Sequence, residues 1–405
     1  MGESKVLESS RLESTGRGSS APDSAVAASD MAKFEKPVAK SFLMVGYDEK
    51  ITWEDGQVRL LPAGRDSLDI FDTSVHPESP QRVATISLPN SIYGPPTNLA
   101  VTPDQSLGLI ADSMAWTEVD GKWVPSPGND LYVIDLSATP PKVADRIKVG
   151  RQPSGLAINP QGTLALVANR AGCSVSVLSI AHGKVAWLGD VDIGSPVIAV
   201  SFDTSGKRAF VAKLDDHRLG VLHIAGTTVS YDANEDIVTG LVPFNLAITP
   251  DGGLALTVDM GKPTASDGHA DTVSVVDLDA TPPRVIDKIM VEDGPEGITI
   301  SPDGKFAAVA IVQGSNCPSD SWFHHPVGQI VLLSITGKTV RRAGNIDVGA
   351  LPEGMAFSPD SRYLYVGNFL DSDMSVLEVV DGKLVDTGNR IKLPGHPASM
   401  RAQSC

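Results

Sequence analysis

Apolar residues in this chain fall into short alternating runs, each cut off by a turn rich in Pro, Asp, Asn or Gly. LAVT (99–102), LAIN (156–159), LAIT (246–249), ITIS (298–301) and MAFS (355–358) read as half-buried strands. A PDG-like turn follows each, where Pro presets φ and Gly supplies a positive φ. A second apolar run then ends in a polar residue. Two more strands come downstream, such as DLYVIDL and KVADRIKV (130–136, 142–149) or DTVSVVDL and RVIDKIMV (271–278, 284–291). The turns between them read SATPPK and DATPPR. Each unit therefore predicts four strands and leaves no room for a long helix.

The unit recurs from Pro96, Pro153, Pro196, Pro243, Pro295 and Pro352, at spacings of 57, 43, 47, 52 and 57 residues. A seventh copy starts at Pro397 as PASMRAQSC. Four short antiparallel strands per repeat of this length predict a β-propeller blade. A propeller must close, because an open ring leaves sheet edges unpaired. The segment after Pro397 supplies one strand, and SFLMVGY, DSLDIFD and RVATISLP supply three more before Asn90. The expected fold is thus all-β, a seven-bladed propeller over 41–405, with a closing blade of 41–90 plus 397–405. A parallel β-helix fits less well, since its repeats are shorter and lack alternating hairpins.

Residues 1–40 have no apolar core of the kind a secretory leader carries and read as a disordered polar tail. The compartment expected of the chain as written is cytoplasmic, or periplasmic or secreted if a leader was removed. No apolar run approaches the ~20 residues that span a bilayer. The 33 Lys and Arg against 49 Asp and Glu give a formal charge of −16, which argues against nucleic acid and anionic membranes as partners. Apolar residues at 41% mark a globular chain. Cys173, Cys317 and Cys405 form no close pair and suggest no disulfide framework. A closed ring has no free edge strand, so a monomer is expected.

The stretch PEGMAFSPDSRYLYVGNFLDSDMSVLEV (352–379), with YVGN at 365–368, resembles the YVTN-type β-propeller repeat. The likeness extends over 41–405. WD40 and kelch signatures are missing. The repeat group is similar to seven-bladed lactonase-like propellers, which include lactonases, a muconate-lactonising cycloisomerase, an amine dehydrogenase subunit and non-catalytic binding proteins. The resemblance implies a ligand face where the fourth-to-first and second-to-third strand connections converge on the central channel. It implies no residue assignments, because no catalytic His/Arg/Glu set of such a family maps onto this chain.

The residues themselves supply candidates. The second-strand ends are Tyr47, Asp112, Asn169, Lys213, Asp259, Ile311 and Asn368. They predict either a polar ring around a ligand mouth or local turn chemistry. Lys213 could hold an anion or pair with Asp215 or a ring carboxylate. Asn98, Asn245, Glu296 and Glu353 follow the repeat prolines at the channel entrance, and His396 precedes Pro397 where other repeats carry Gln, Ser, Val, Gly or Leu. Long second-to-third loops are expected at 47–66, 113–130, 260–271 and 312–328. They bring His269, Cys317, Trp322, Phe323, His324, His325, Trp116 and Trp123, residues suited to wall an organic ligand.

Two function classes follow. One is a lactonase-like hydrolase or isomerase acting on a small organic molecule. There His396 or His324 would be the acid or base, with Glu296 and Glu353 as further catalytic candidates. Asn98, Lys213, Asn245, Asn169, Asn368, Trp322 and His269 would bind substrate. The other is a non-catalytic propeller that binds a protein or small ligand through the same face. No cofactor is required by any motif. A divalent metal is a candidate, as a hard cation on Asp112, Asp259 and Asp267 or a transition metal on His269, His324 and His325. There is no GxSxG elbow, P-loop or CxxC, and GRGSSA (16–21) has no strand before it.

Overall fold

The computed structural model describes residues 40–262 and 266–402. The tail expected over 1–40 (Lys40 apart), the GRGSSA string and Cys405 lie outside the described residues. Seven antiparallel sheets, each with a run of four strands, form the ring. The closing sheet runs Pro397–Ala402, Phe42–Tyr47, Ser67–Asp72, Gln81–Ser87, so one innermost strand comes from the far end of the sequence. Its register pairs Leu43 with Ala402, Val45 with Met400 and Tyr47 with Pro397. Among the described residues there is no α-helix. A single 3₁₀ turn, Ala233–Glu235, interrupts the outer edge of one blade.

The repeated turn has a concrete cause. In Thr/Ser-Pro-Asp, the Asp carboxylate accepts the hydroxyl two residues before it. Thr102 donates to Asp104 at 2.6 Å, Thr249 to Asp251 at 2.6 Å and Ser301 to Asp303 at 2.7 Å. Backbone N–H groups two residues on complete the Asx-type turn, as Ser106 does to Asp104. The three carboxyls lie below the ordinary carboxylate range, the hydroxyl bond leading for Asp104 and Asp251, while for Asp303 burial is the largest single effect and is outweighed only by the Ser301 hydroxyl, the Lys305 N–H and the Lys305 ammonium together.

The inner strands of adjacent blades come close, and this sets the small residue in P-x-G. A Cβ on Gly354 would sit 2.3 Å from the Met400 nitrogen, and one on Gly297 would sit 2.7 Å from the Glu353 carbonyl oxygen. Cores form between neighbouring sheets. At the closure, Leu43, Val45 and Tyr47 pack with Tyr365, Val376 and Met400. The outermost strands alternate exposed and half-buried positions, as in Arg284–Met290.

Two expected loops are β-hairpins instead. The 47–66 insertion contains Ile51–Glu54 paired with Gln57–Leu60. The 113–130 insertion is an outward extension of the blade strands, Leu107–Val119 with Lys122–Asp135. Turn-forming Asp-Gly at 55–56 and 120–121 reverses each chain with positive φ at both residues.

Candidate active site

Most of the polar second-strand ends serve their own blade. The Asn368 amide donates to Asp373 and Ser375 on the next strand and accepts from the Gly349 N–H at 2.9 Å. Asn169 donates to Ser174 and Ser176, and the Gly150 N–H closes the loop onto Ser176. Asp259 accepts from Thr257, Thr272 and Ser274, with the Gly240 N–H on Ser274. Lys213 is buried in ion pairs with Asp216 and Asp236, both at 2.7 Å, and donates to the Tyr231 hydroxyl at 3.0 Å; Asp215 is not its partner. Burial alone would pull the Lys213 pKa down, but those bonds hold it above the ordinary lysine range.

The residue one place further along points inward. At this offset stand Asp48, Ser113, Arg170, Leu214, Met260, Val312 and Phe369. Arg170, Leu214 and Met260 line a cavity of about 330 Å³ at the channel mouth. Val242 and Leu351, each just before a repeat proline, join them with left-handed backbone (φ 57° and 51°). That conformation costs a non-glycine residue of order 1 kcal/mol or more, and it survives here because the fourth-to-first connection must turn sharply into the channel. The cavity thus lies between the fourth-to-first and second-to-third connections.

Glu296 and Glu353 meet in this cavity. They occupy the same offset in adjacent blades, and the bare Gly297 lets the Glu353 backbone approach. Their side chains share a hydrogen bond. Burial raises both carboxyls above the ordinary range. Glu353 rises furthest, because the Glu296 charge faces it as well. Two carboxyls this close resist ionising together, and Glu353, raised the further, is the member that keeps a proton longer and can donate it to Glu296. The Glu353 Oε2 atom is buried without a hydrogen-bond partner among the described residues. Asn245 steadies the pair from below: its amide donates to the Glu296 carbonyl at 3.3 Å, and its oxygen accepts from Leu246 N–H and Thr97.

Arg170 is the cation of the cavity wall, and sequence reasoning passed over it for its neighbour Asn169. The signal was in the frame, since it is the lone positive residue at an inward offset. Its guanidinium makes no hydrogen bond or ion pair among the described residues. Burial lowers its pKa, and the more distant Asp215 charge partly restores it.

The Ile51–Leu60 hairpin contributes Ile51, Trp53 and Val58 to the same cavity. Its base is anchored by Lys50, 3% exposed, whose ammonium binds the Asp66 carboxylate and the Asn90 carbonyl and lies 3.1 Å from Asp48. Its tip is anchored by Asp55, which accepts from the Ser319 N–H and hydroxyl at 3.1 and 3.0 Å. Trp53 packs edge-on to Phe369 at 5.8 Å.

Near this anchor, burial pushes Asp112 up to about 7, with Asp66, Asp130 and Asp48 adding repulsion against the help of Lys50. A carboxyl with a raised folded-state pKa binds a proton that the unfolded chain has lost, so its contribution falls as pH rises from about 4 to about 7. Asp112→Asn is expected to flatten stability over that window and to raise it at pH 8 by up to roughly 4 kcal/mol. Denaturant titrations of both proteins at pH 4 and pH 8 check this; equal pH dependence would remove Asp112 as the cause.

The remaining candidates lie elsewhere. His396 does not line the cavity. Its ring stacks on Phe369 at 4.9 Å, and Nδ1 donates to the Phe369 carbonyl at 2.8 Å, while its N–H binds Glu49 across the ring closure. His324 Nδ1 is 3.2 Å from the Gly314 carbonyl and anchors the 312–328 loop. Trp322 is 77% exposed and meets His269 edge-on at 6.4 Å, while His269 pairs with Asp267. Asn98 is buried and donates to Asn90 and the Ala111 carbonyl. Among the described residues no group of three His, Cys, Asp or Glu side chains could hold a metal, and Asp112 and Asp259 sit in separate surroundings. The described residues contain no helix long and apolar enough to cross a membrane.

Comparison with known proteins defines the architecture. No family model matches the chain, so the YVTN likeness stands as a resemblance. Over 113 residues the chain is 33% identical to Antigen Lp49 of Leptospira interrogans; the match spans 27% of this chain and about a quarter (24%) of that protein. Among solved structures, a candidate 6-phosphogluconolactonase from Bacteroides fragilis superposes with a TM-score of 0.71 at 15% identity, covering 91% of this chain and 99% of the other. A periplasmic gluconolactonase from Pseudomonas aeruginosa gives 0.66 at 16%, covering 90% and 99%. Hydrazine synthase from Kuenenia stuttgartiensis gives 0.57 at 19%, covering 77% and 90%. The class is the seven-bladed propeller with lactonase-like structural neighbours. At such identities the likeness carries the fold, and the chemistry must come from the residues.

Proposed function

We propose that this protein is a lactonase-like hydrolase whose centre is the Glu296–Glu353 pair. The observation that carries the reading is two carboxyls meeting in a cavity that also holds an unpaired guanidinium. A base and an acid side by side fit ester hydrolysis. The Glu296 carboxylate takes a proton from water as the water oxygen bonds to the lactone carbonyl carbon. Arg170 steadies the negative charge that develops on the carbonyl oxygen. Glu353 gives its proton to the ring oxygen as the carbon–oxygen bond breaks. The proton on Glu296 then passes back to Glu353 along their hydrogen bond, and the product is the open hydroxy acid. The lactonase names among the structural neighbours support the same reading. His396 and His324 take no part in it.

Hydrolysis of a panel of sugar, alkyl and aryl lactones, followed by acid release, tests it. Activity needs Glu296 ionised and Glu353 protonated, so kcat/KM is expected to rise and then fall with pH. Both limbs should lie above the ordinary carboxylate value of about 4. No turnover of any lactone, or a profile flat from pH 4 to 9, overturns the assignment.

A further inference from the structure

We infer that the cavity selects a compact lactone with an apolar aryl or alkyl body, and the open monocarboxylate it yields, over a polyhydroxylated or phosphorylated sugar. The inference deepens the hydrolase reading by naming its substrate class, and it rests on that reading only for the word substrate. Three features of the cavity point the same way.

The first is the wall. Trp53 and Val58 from the hairpin, Ile92, Phe244, Met260 and Leu351 give it a mainly apolar surface. A sugar would bury several hydroxyls against these groups, and each buried hydroxyl left unpaired weakens binding. An aromatic or branched alkyl body gains from the same surface.

The second is charge. The acid pair carries one negative charge and Arg170 one positive charge, and no second cation lines the cavity. One guanidinium matches one carboxylate in forked geometry. A phosphate dianion would bring two charges to that single cation and face the Glu296 carboxylate besides.

The third is size and rigidity. At about 330 Å³ the cavity lies at the small end of the roughly 300–1,000 Å³ typical of ligand sites, and its roof is fixed at both ends by Lys50 and Asp55. A preformed apolar roof lowers the ordering cost of binding a compact ligand.

Titration calorimetry on the full chain tests this with 3-phenylpropanoate, gluconate and 6-phosphogluconate as probes. 3-Phenylpropanoate should bind at least tenfold more tightly than either sugar acid. Arg170→Met should weaken it about ten- to hundredfold, and Trp53→Ala about tenfold, with melting curves confirming that both variants fold. Glu296→Gln should still bind it. Tighter binding of 6-phosphogluconate, no binding of any probe, or undiminished binding by a folded Arg170→Met overturns the inference. The two readings fail separately. Sugar lactones opened with no 3-phenylpropanoate binding would sink the selectivity and keep the hydrolase. 3-Phenylpropanoate bound as expected with no lactone opened would do the reverse.

Discussion

Glu296→Gln is expected to lower kcat on any lactone the protein opens by about 10²–10⁴-fold, the range for loss of a positioned base. The same change should leave the melting temperature equal or higher. Both carboxyls are raised by burial, so keeping Glu296 ionised next to Glu353 costs stability, and a neutral amide relieves that cost. Glu353→Gln keeps a donor toward Glu296 but has no proton to pass to the ring oxygen, so it too should lose turnover while staying folded. Steady-state kinetics and thermal melts of the two variants check this. Wild-type kcat in Glu296→Gln would take the pair out of the chemistry. Loss of activity together with a lower melting temperature would make the pair a structural element.

A chain ending at His396 is expected not to reach the native fold. The missing strand, Pro397–Ala402, is the inner strand of the closing sheet, and Pro397, Ala398, Ser399 and Met400 are all buried. Without it Phe42–Tyr47 has an open edge, and Tyr365 loses the cover of Met400. Met400→Ala alone should cost roughly 2–5 kcal/mol, and a typical domain has only about 5–15 kcal/mol to lose. Circular dichroism melts and size-exclusion chromatography should show a broad or absent transition and aggregated material for the truncated chain, with Met400→Ala folded but less stable. A sharp transition within a few degrees of the intact protein would mean that closure contributes little.

The blades were legible because one turn chemistry, Thr/Ser-Pro-Asp, recurs beside alternating strands, and because Pro397 restarts a unit that Phe42–Tyr47 can complete. Glu296 and Glu353 were legible as candidates, but their partnership was not, since it depends on how near two inner strands come at Gly297. Arg170 was hidden by its neighbour. Asn169 looks chemical and is spent on Ser174 and Ser176, whereas the inward residue is the next one. The histidines drew notice as rare residues, yet rarity says nothing of direction: His396 turns to a backbone carbonyl, and His269 with Trp322 lies on the outer surface. The roof over the cavity read as a loop because its alternation is short and set among polar residues.

The closing sheet also sets a clock. About 350 residues separate Tyr47 from its partner Pro397. At roughly 5–20 residues per second, a ribosome needs on the order of 20–70 s to deliver that partner after Tyr47 is made. For that interval the strands Phe42–Tyr47, Ser67–Asp72 and Gln81–Ser87 exist as a three-stranded sheet with a bare inner edge. Six blades can assemble in order as they are synthesised, while the earliest one waits for the last. The nascent chain is therefore most exposed to aggregation, and most in need of chaperones, at this unclosed sheet.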